Sequence, residues 1–205
     1  MGNSFDNRAA TWDENPRRIK LVENVSSIIL SKIDFQKTDE ILDYGCGTGL
    51  LGYSLIDKVG SVTFCDSSTG MLEQVEKKRN YYDYKNVKLL NADFSQLEKI
   101  EQSYNFIFSM LVMHHVADLK LLLSKFNEAL KDGGSFCWID LDKEDGSFHN
   151  DDTIPHLGFE KEATIKLLKE AGFETTFHTN ELAIKKEIKE ELRSFPLFVL
   201  IARKC

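Results

Sequence analysis

Three glycines at alternate positions stand in Asp43-Tyr44-Gly45-Cys46-Gly47-Thr48-Gly49. Glycines so spaced let a chain turn tightly and bring main-chain amides against a ligand. Gly47-Thr48-Gly49-Leu50-Leu51-Gly52 also satisfies G-x-G-x-x-G, the dinucleotide fingerprint. Further on, Asp66 closes a run of strand-like residues, where a carboxylate accepts hydrogen bonds from ribose hydroxyls. In Asn91-Ala92-Asp93-Phe94, Asp93 can accept from an adenine amino group while the aromatic ring packs nearby. These residues imply a nucleoside ligand, and an NAD-binding protein and an adenosyl-ligand binder would both show this much. Asp43 favours the second, because a carboxylate beneath the loop repels a pyrophosphate and attracts the cationic amino-acid end of S-adenosylmethionine. The hydride machinery is also missing. Tyr81-Tyr82-Asp83-Tyr84-Lys85 contains Y-x-x-x-K but comes too early in the chain for a short-chain dehydrogenase.

The elements that must position these residues alternate in periodicity almost from end to end. Asn15-Pro16 is a helix cap followed by proline at the first helical position, and Ile19, Val22, Val25, Ile29 and Ile33 follow at helical spacing. Strands are predicted at 40–44, 61–65, 86–90, 104–109 and 135–141, with helices over 50–58 and through Met71, Leu72 and Val75. Asp118 caps a further helix that Gly133-Gly134 is expected to end. A helix over 160–171 stops at Gly172, and strands near 174–179 and 196–202 follow with no helix between them. Apolar strands alternating with helices predict a doubly wound α/β fold. Its seven-stranded, mostly parallel sheet ends in an antiparallel C-terminal edge strand. The chain reads as one domain: an arm and helix (1–37), a cofactor-binding core (38–141), a lid-like loop (142–158) and a closing helix and strand pair (159–205).

With its motifs in this order, the chain resembles the class I S-adenosylmethionine-dependent methyltransferases, in particular their small bacterial members. The match runs through Ile41 to Gly49, Asp66, Asn91-Ala92-Asp93 and the turn Leu130-Lys131-Asp132-Gly133-Gly134, about residues 38 to 141. Phe5 to Asp13 looks like the N-terminal lid of the small members. The resemblance implies a Rossmann-like methyltransferase fold and S-adenosyl-L-methionine as cofactor. It implies that Asp43 orders the loop and the cofactor's amino group, and that Gly45, Cys46 and Gly47 present backbone to the methionine and ribose. Asp66 would take the ribose diol. Met71, or the backbone of Ser67, would flank the adenine, with Asp93 on its amino group and the Phe94 amide on a ring nitrogen. Ser109 and Met110 would face the methyl sulfonium.

Methyl transfer from a sulfonium is an in-line displacement with a neutral leaving group, so alignment is the main task. A general base is needed only where the acceptor must lose a proton. His115 and His114 follow the fourth strand, where an acceptor would sit, and are the candidate catalytic residues. Trp12 either closes over the cofactor or plugs the core. Arg17, in the first turn of a helix whose dipole it opposes, and His149, in the long loop, are candidate substrate or lid residues. His149, Asp151, Asp152 and His156 lack a regular ligand spacing, so no metal is expected.

The net charge of −7 from 26 basic and 33 acidic residues disfavours nucleic acid as partner. Lys77-Lys78-Arg79 is read as the cationic end of a helix. Four dispersed cysteines suit reduced thiols, and no apolar run is long enough to span a bilayer. A cytoplasmic monomer or homodimer acting on a small molecule is the expectation. The fourth strand is followed by neither an amino-methyltransferase N/D-P-P-aromatic motif nor a Pro-Cys nucleophile. An NAD(P)-dependent oxidoreductase and a catalytically silent methyltransferase-like binding module remain the alternatives.

Overall fold

The structure is a computed structural model that describes residues 5–97, 104–149 and 153–205. Seven strands form one sheet: β1 (Glu40–Tyr44), β2 (Ser61–Asp66), β3 (Val87–Asn91), β4 (Tyr104–Met110), β5 (Leu130–Leu141), β6 (Phe173–Ile188) and β7 (Glu191–Lys204). Their order is β3-β2-β1-β4-β5-β7-β6. The first five run parallel, and β7 lies antiparallel between β5 and β6. The doubly wound, mostly parallel fold expected from the sequence is the fold observed, with an antiparallel closing pair in which the C-terminal strand β7 is inserted beside β5 and β6 forms the edge. The chain reverses its winding between β1 and β4, and ligands bind at such a switch point, beyond the carboxyl ends of the strands.

Helices α1 (Pro16–Lys32), α2 (Leu50–Leu55), α3 (Thr69–Tyr82), α4 (Leu119–Ala129) and α5 (Lys161–Glu170) cover the sheet. On one face Val25 and Ile29 of α1, Leu51 and Leu55 of α2 and Val75 of α3 pack on Ile41, Val62, Phe64 and Phe108. On the other, Leu122, Leu123 and Phe126 of α4 and Leu168 of α5 pack on Leu42, Ile107, Phe136 and Trp138. Burial on both faces is why the central strands β2, β4 and β5 are rich in apolar residues, whereas the edge strand β3 is mostly exposed. Caps fix where the helices begin. Asn15 accepts from the Arg17 amide, Ser68 from Met71 and Asp118 from Leu121.

Three boundaries differ from expectation. Helix α4 stops at Ala129, not at Gly133-Gly134, because Leu130 already pairs with Tyr104 in β5. The carbonyls of Asn127 and Leu130 are satisfied instead by the Lys204 ammonium. The two glycines lie inside β5, next to the register shift between Tyr104 and Phe106. The predicted helix over 50–58 ends at Leu55 and continues as a 3-10 turn over Ile56–Lys58. The closing strands are far longer than expected, 16 and 14 residues, and the outer part of their hairpin extends beyond the sheet. There Ile188, Phe195 and Leu197 form a small apolar cluster with Leu141 that Phe148 of the long loop joins.

Phe126 is fully buried with ring neighbours Tyr44 at 5.1 Å, Phe94 at 5.7 Å and Phe136 at 5.0 Å, so it joins α4 to the strand that carries the glycine loop. Phe126→Ala is expected to lower unfolding stability by about 3–5 kcal/mol in urea denaturation. A near-native midpoint would show that the site-bearing strands are anchored elsewhere.

Candidate active site

Asp43 ends β1 fully enclosed, and its carboxylate accepts the Gly52 amide at 2.9 Å. That bond ties strand to helix across the glycine loop. Gly52 must be glycine here, since a Cβ would stand 2.4 Å from Phe64 and 2.9 Å from the Asp43 carboxylate. Burial pushes the Asp43 carboxyl up to about 7 despite the amide it accepts. A carboxylate so deprived of water favours a cation nearby, which fits the amino group of S-adenosylmethionine. Gly45 has φ +65°, and a Cβ there would meet Val112 at 2.4 Å. The loops after β1 and β4 therefore pack directly on each other at the switch point. Cys46 is half-buried, its thiol donates to the Gly47 carbonyl, and burial holds that thiol well above its usual pKa.

Asp66, at the end of β2, accepts the Gly47 amide at 2.8 Å with one oxygen and the Ser68 amide at 2.8 Å with the other. Burial raises its pKa, and those amides oppose the rise. The Ser67 amide is a third backbone donor to this carboxylate, which leaves one of the four lone pairs for a ribose hydroxyl. Ser67 is exposed beside it, and Met71 is buried with its sulfur 3.9 Å from where a Gly47 Cβ would stand. Asp93 accepts from Gln96 at 2.9 Å. The Phe94 ring turns into the core against Tyr44 and Phe126, so only its backbone is left for a ligand, and the expectation that the ring packs beside an adenine is corrected. Ser109 is fully buried, level in register with Tyr44 and Trp138, and among the described residues its hydroxyl has no hydrogen-bond partner. Met110, the last residue of β4, is half-buried one position on. An enclosed cation-seeking carboxylate, a backbone cradle and an orphaned hydroxyl together fit S-adenosylmethionine.

The N-terminal arm is strapped over this edge. Asp6 accepts from the Ser68 hydroxyl and from the Gly70 amide at 2.9 Å, adding a second carboxylate-type cap to α3. These bonds lower its pKa. Asp13 accepts from the Thr48 hydroxyl at 2.6 Å and pairs with Lys78 at 2.6 Å, while Lys78 also donates to the Thr48 carbonyl. Lys78 is thus a clasp between arm and glycine loop as well as part of a cationic helix end. Trp12 lies against the loop, its indole nitrogen 4.0 Å from a Cβ built on Gly47. The Arg18 guanidinium stacks on it at 3.9 Å and donates to its carbonyl. Trp12 therefore sits at the mouth of the site. Arg17, by contrast, is exposed and reaches the Lys185 carbonyl of β6, which takes it away from the loop. Asp6, Asp13 and Arg18 form the strap, and sequence reading did not find it because the partners of the two carboxylates lie 62 and 35 residues away.

Beyond β4 the chain passes through Leu111 at φ +59°, a conformation that costs a branched residue energy and that recurs at functional turns. The 3-10 turn Met113–His115 follows. His114 is buried, and its Nδ1 lies 2.5 Å from Asp140 of β5. Its Nε2 lies 2.9 Å from Nε2 of His149, in the loop after β5. His115 stacks beside His114 at 4.2 Å and meets Phe5 of the arm edge-on at 6.0 Å. The long loop that carries His149 is braced. Lys143 and Glu144 pair with Phe159 and Leu157, and Arg193 of the hairpin holds Asp145 and Ser147. His156 faces the Val116 carbonyl. Asp151 and Asp152 lie outside the described residues. Sequence reading did not single out Asp140, because it stands as one polar residue inside the apolar end of β5.

The Tyr81/Lys85 pair falls at the C-terminal end of α3, which runs back toward the opposite edge of the sheet. A switch-point glycine loop after β1, a half-buried carboxylate at the end of β2 and a β7 inserted antiparallel beside β5 define a Rossmann-like methyltransferase fold. Comparison with known proteins agrees. A family model described as a methyltransferase domain matches residues 41–134. YrhH of Bacillus subtilis (strain 168) is 26% identical over 176 residues, covering 84% of this chain and 89% of its own length. The malonyl-(acyl-carrier protein) O-methyltransferase of Priestia megaterium is 32% identical over 133 residues, and the match covers 64% of this chain but 47% of that relative. A SAM-dependent methyltransferase of Aquifex aeolicus superposes with a TM-score of 0.74 at 19% identity, covering 98% of both chains, a likeness of fold. Residues 41–134 are thus similar to a methyltransferase domain, and the relatives together with the fold support an S-adenosylmethionine-dependent methyltransferase of class I.

The pKa of Asp43 has a sign that can be checked. Between 3.8 and about 7 the folded chain holds a proton that the unfolded chain has lost. This group therefore stabilises most at low pH, and its contribution falls as pH rises through that window, by up to about 4 kcal/mol. Asp43→Asn is expected to flatten the pH dependence of the urea midpoint between pH 4 and 7. Cofactor titration of the wild type at pH 6 in buffers of different ionisation enthalpy should release protons. An unchanged slope in the variant would place the titration in another group.

Proposed function

We propose that the protein transfers the methyl group of S-adenosylmethionine to an oxygen of a small-molecule acceptor held between the N-terminal strap and the loop that carries His149. The observation that carries this is the convergence of the glycine loop, the strap and three histidines on one edge of the sheet. Phe5 contacts His115 while Trp12 contacts the loop, so one short arm spans both halves of the site. The O-methyltransferase relative supports an oxygen acceptor, and a site roofed by a short arm suits a small molecule better than a polymer.

When bound, S-adenosylmethionine supplies a methyl group on a positively charged sulfur. This chain's residues must bind, orient and deprotonate. Asp43 and Asp66 fix the donor end through the loop amides, and the packing of Val112 on Gly45 sets the distance to the acceptor side. In-line displacement then needs the acceptor oxygen aligned opposite the sulfur, which orientation alone can accelerate greatly. His115, half-buried beneath Phe5, is placed to take the acceptor's proton. Asp140 holds His114 and through it the cluster. The four cysteines are free thiols, in keeping with a reducing cytoplasmic setting.

Methyl transfer from radiolabelled S-adenosylmethionine to a panel of hydroxy acids, phenols and acyl thioesters tests this. His115→Ala is expected to lower kcat by about 10²–10⁴ while the KM for cofactor stays within a few-fold. Loss of cofactor affinity without loss of kcat would remove His115 from the acceptor side.

A further inference from the structure

We infer that His114, His115 and His149 together bind one divalent transition-metal ion of the zinc class. Their ligand nitrogens all lie within 4.8 Å of one another. In a tetrahedral zinc site, Zn–N distances of about 2.0–2.1 Å put neighbouring nitrogens about 3.3–3.4 Å apart. The Nε2 atoms of His114 and His149 are already 2.9 Å apart, so a small opening of that pair and a turn of the His115 ring complete the geometry.

The support behind the donors points the same way. With Nδ1 of His114 engaged by the Asp140 carboxylate, Nε2 is the ring nitrogen left to act as a ligand, and it lies toward His149. Asp140 also accepts the His114 and Leu141 amides and is fully buried, so the ring is fixed in both tautomer and direction. A carboxylate behind a histidine is the usual support of a zinc ligand. His156 is outside the set because its Nε2 faces the Val116 carbonyl. Two of the donors come from a strained turn after β4 and the third from a loop pinned by Arg193, so the cluster sits between two anchored elements.

Three neutral nitrogen donors leave a fourth position open, and an oxygen anion such as an alkoxide, phenolate or carboxylate is the ligand it would take. That role for the acceptor rests on the methyl transfer proposed above, whereas binding of the ion does not. With the ion in place the acceptor O–H loses its proton to solvent as the oxygen coordinates, and His115 is then a ligand instead of the base.

The test uses the full chain, stripped with a chelator and titrated with Co²⁺ while visible absorption is followed, then displaced with Zn²⁺. One equivalent with the intense bands of a tetrahedral site is expected. His149→Ala and His115→Ala should abolish those bands, and Asp140→Asn should weaken affinity about 10–100-fold. S-adenosylmethionine titration of each variant reports folding and tests the cofactor site separately, with His149→Gln as the substitute should His149→Ala fail to fold. No Co²⁺ bands, or bands indifferent to these substitutions, would overturn the inference while leaving the methyl-transfer function standing.

Discussion

Three carboxylates withdrawn from water govern the ligand-binding edge of this sheet. Asp43, Asp66 and Asp140 end or nearly end β1, β2 and β5, and each must find donors, since an unpaired buried charge is strongly unfavourable. The donors available are backbone amides of the loops that follow the strands. Asp43 takes Gly52, Asp66 takes Gly47 and Ser68, and Asp140 takes Leu141 and His114. Satisfying the carboxylates therefore folds the loops. The same bonds shape a cradle on one side of the switch point and a histidine cluster on the other.

The remaining elements brace that edge. The strap spends Asp6 on the start of α3 and Asp13 on Thr48 and Lys78, so the arm that roofs the site is also a cap for the helix below it. The β6–β7 hairpin outgrows the sheet and, through Arg193 and the apolar cluster around Phe195, supports the loop that brings in His149. The glycine-loop side and the histidine side are held by different parts of the chain, joined where Val112 packs on Gly45 and where the arm reaches His115.

Much of this was legible in the sequence for local reasons. The apolar run 40–44, the glycine spacing and Asp66 sit within one strand–loop–helix–strand stretch, so pattern and turn chemistry define them together. The fold class followed from alternation alone. What escaped depends on contacts distant in sequence. Asp140 looks like one polar residue in a strand until His114, 26 residues earlier, is seen bonded to it. His149 lacks ligand spacing because its partners are 34 and 35 residues away across the switch point. The end of α4 was misplaced because Leu130 is drawn into pairing with Tyr104, a tertiary contact that overrides the glycine signal. The hairpin was underestimated because its outer half is charged and packs on a loop, so its alternation carries little apolar contrast.

The central claim is that Asp66 and the glycine loop build a site for an adenosyl sulfonium and not for a dinucleotide. Isothermal titration of the purified chain with S-adenosylmethionine, S-adenosylhomocysteine, NADH and NADPH tests it most directly. Binding of both adenosyl ligands, lost in Asp66→Ala, with no heat from either nicotinamide, is the result this account predicts. Nicotinamide binding in place of the adenosyl ligands, or adenosyl binding untouched by the loss of Asp66, would contradict it.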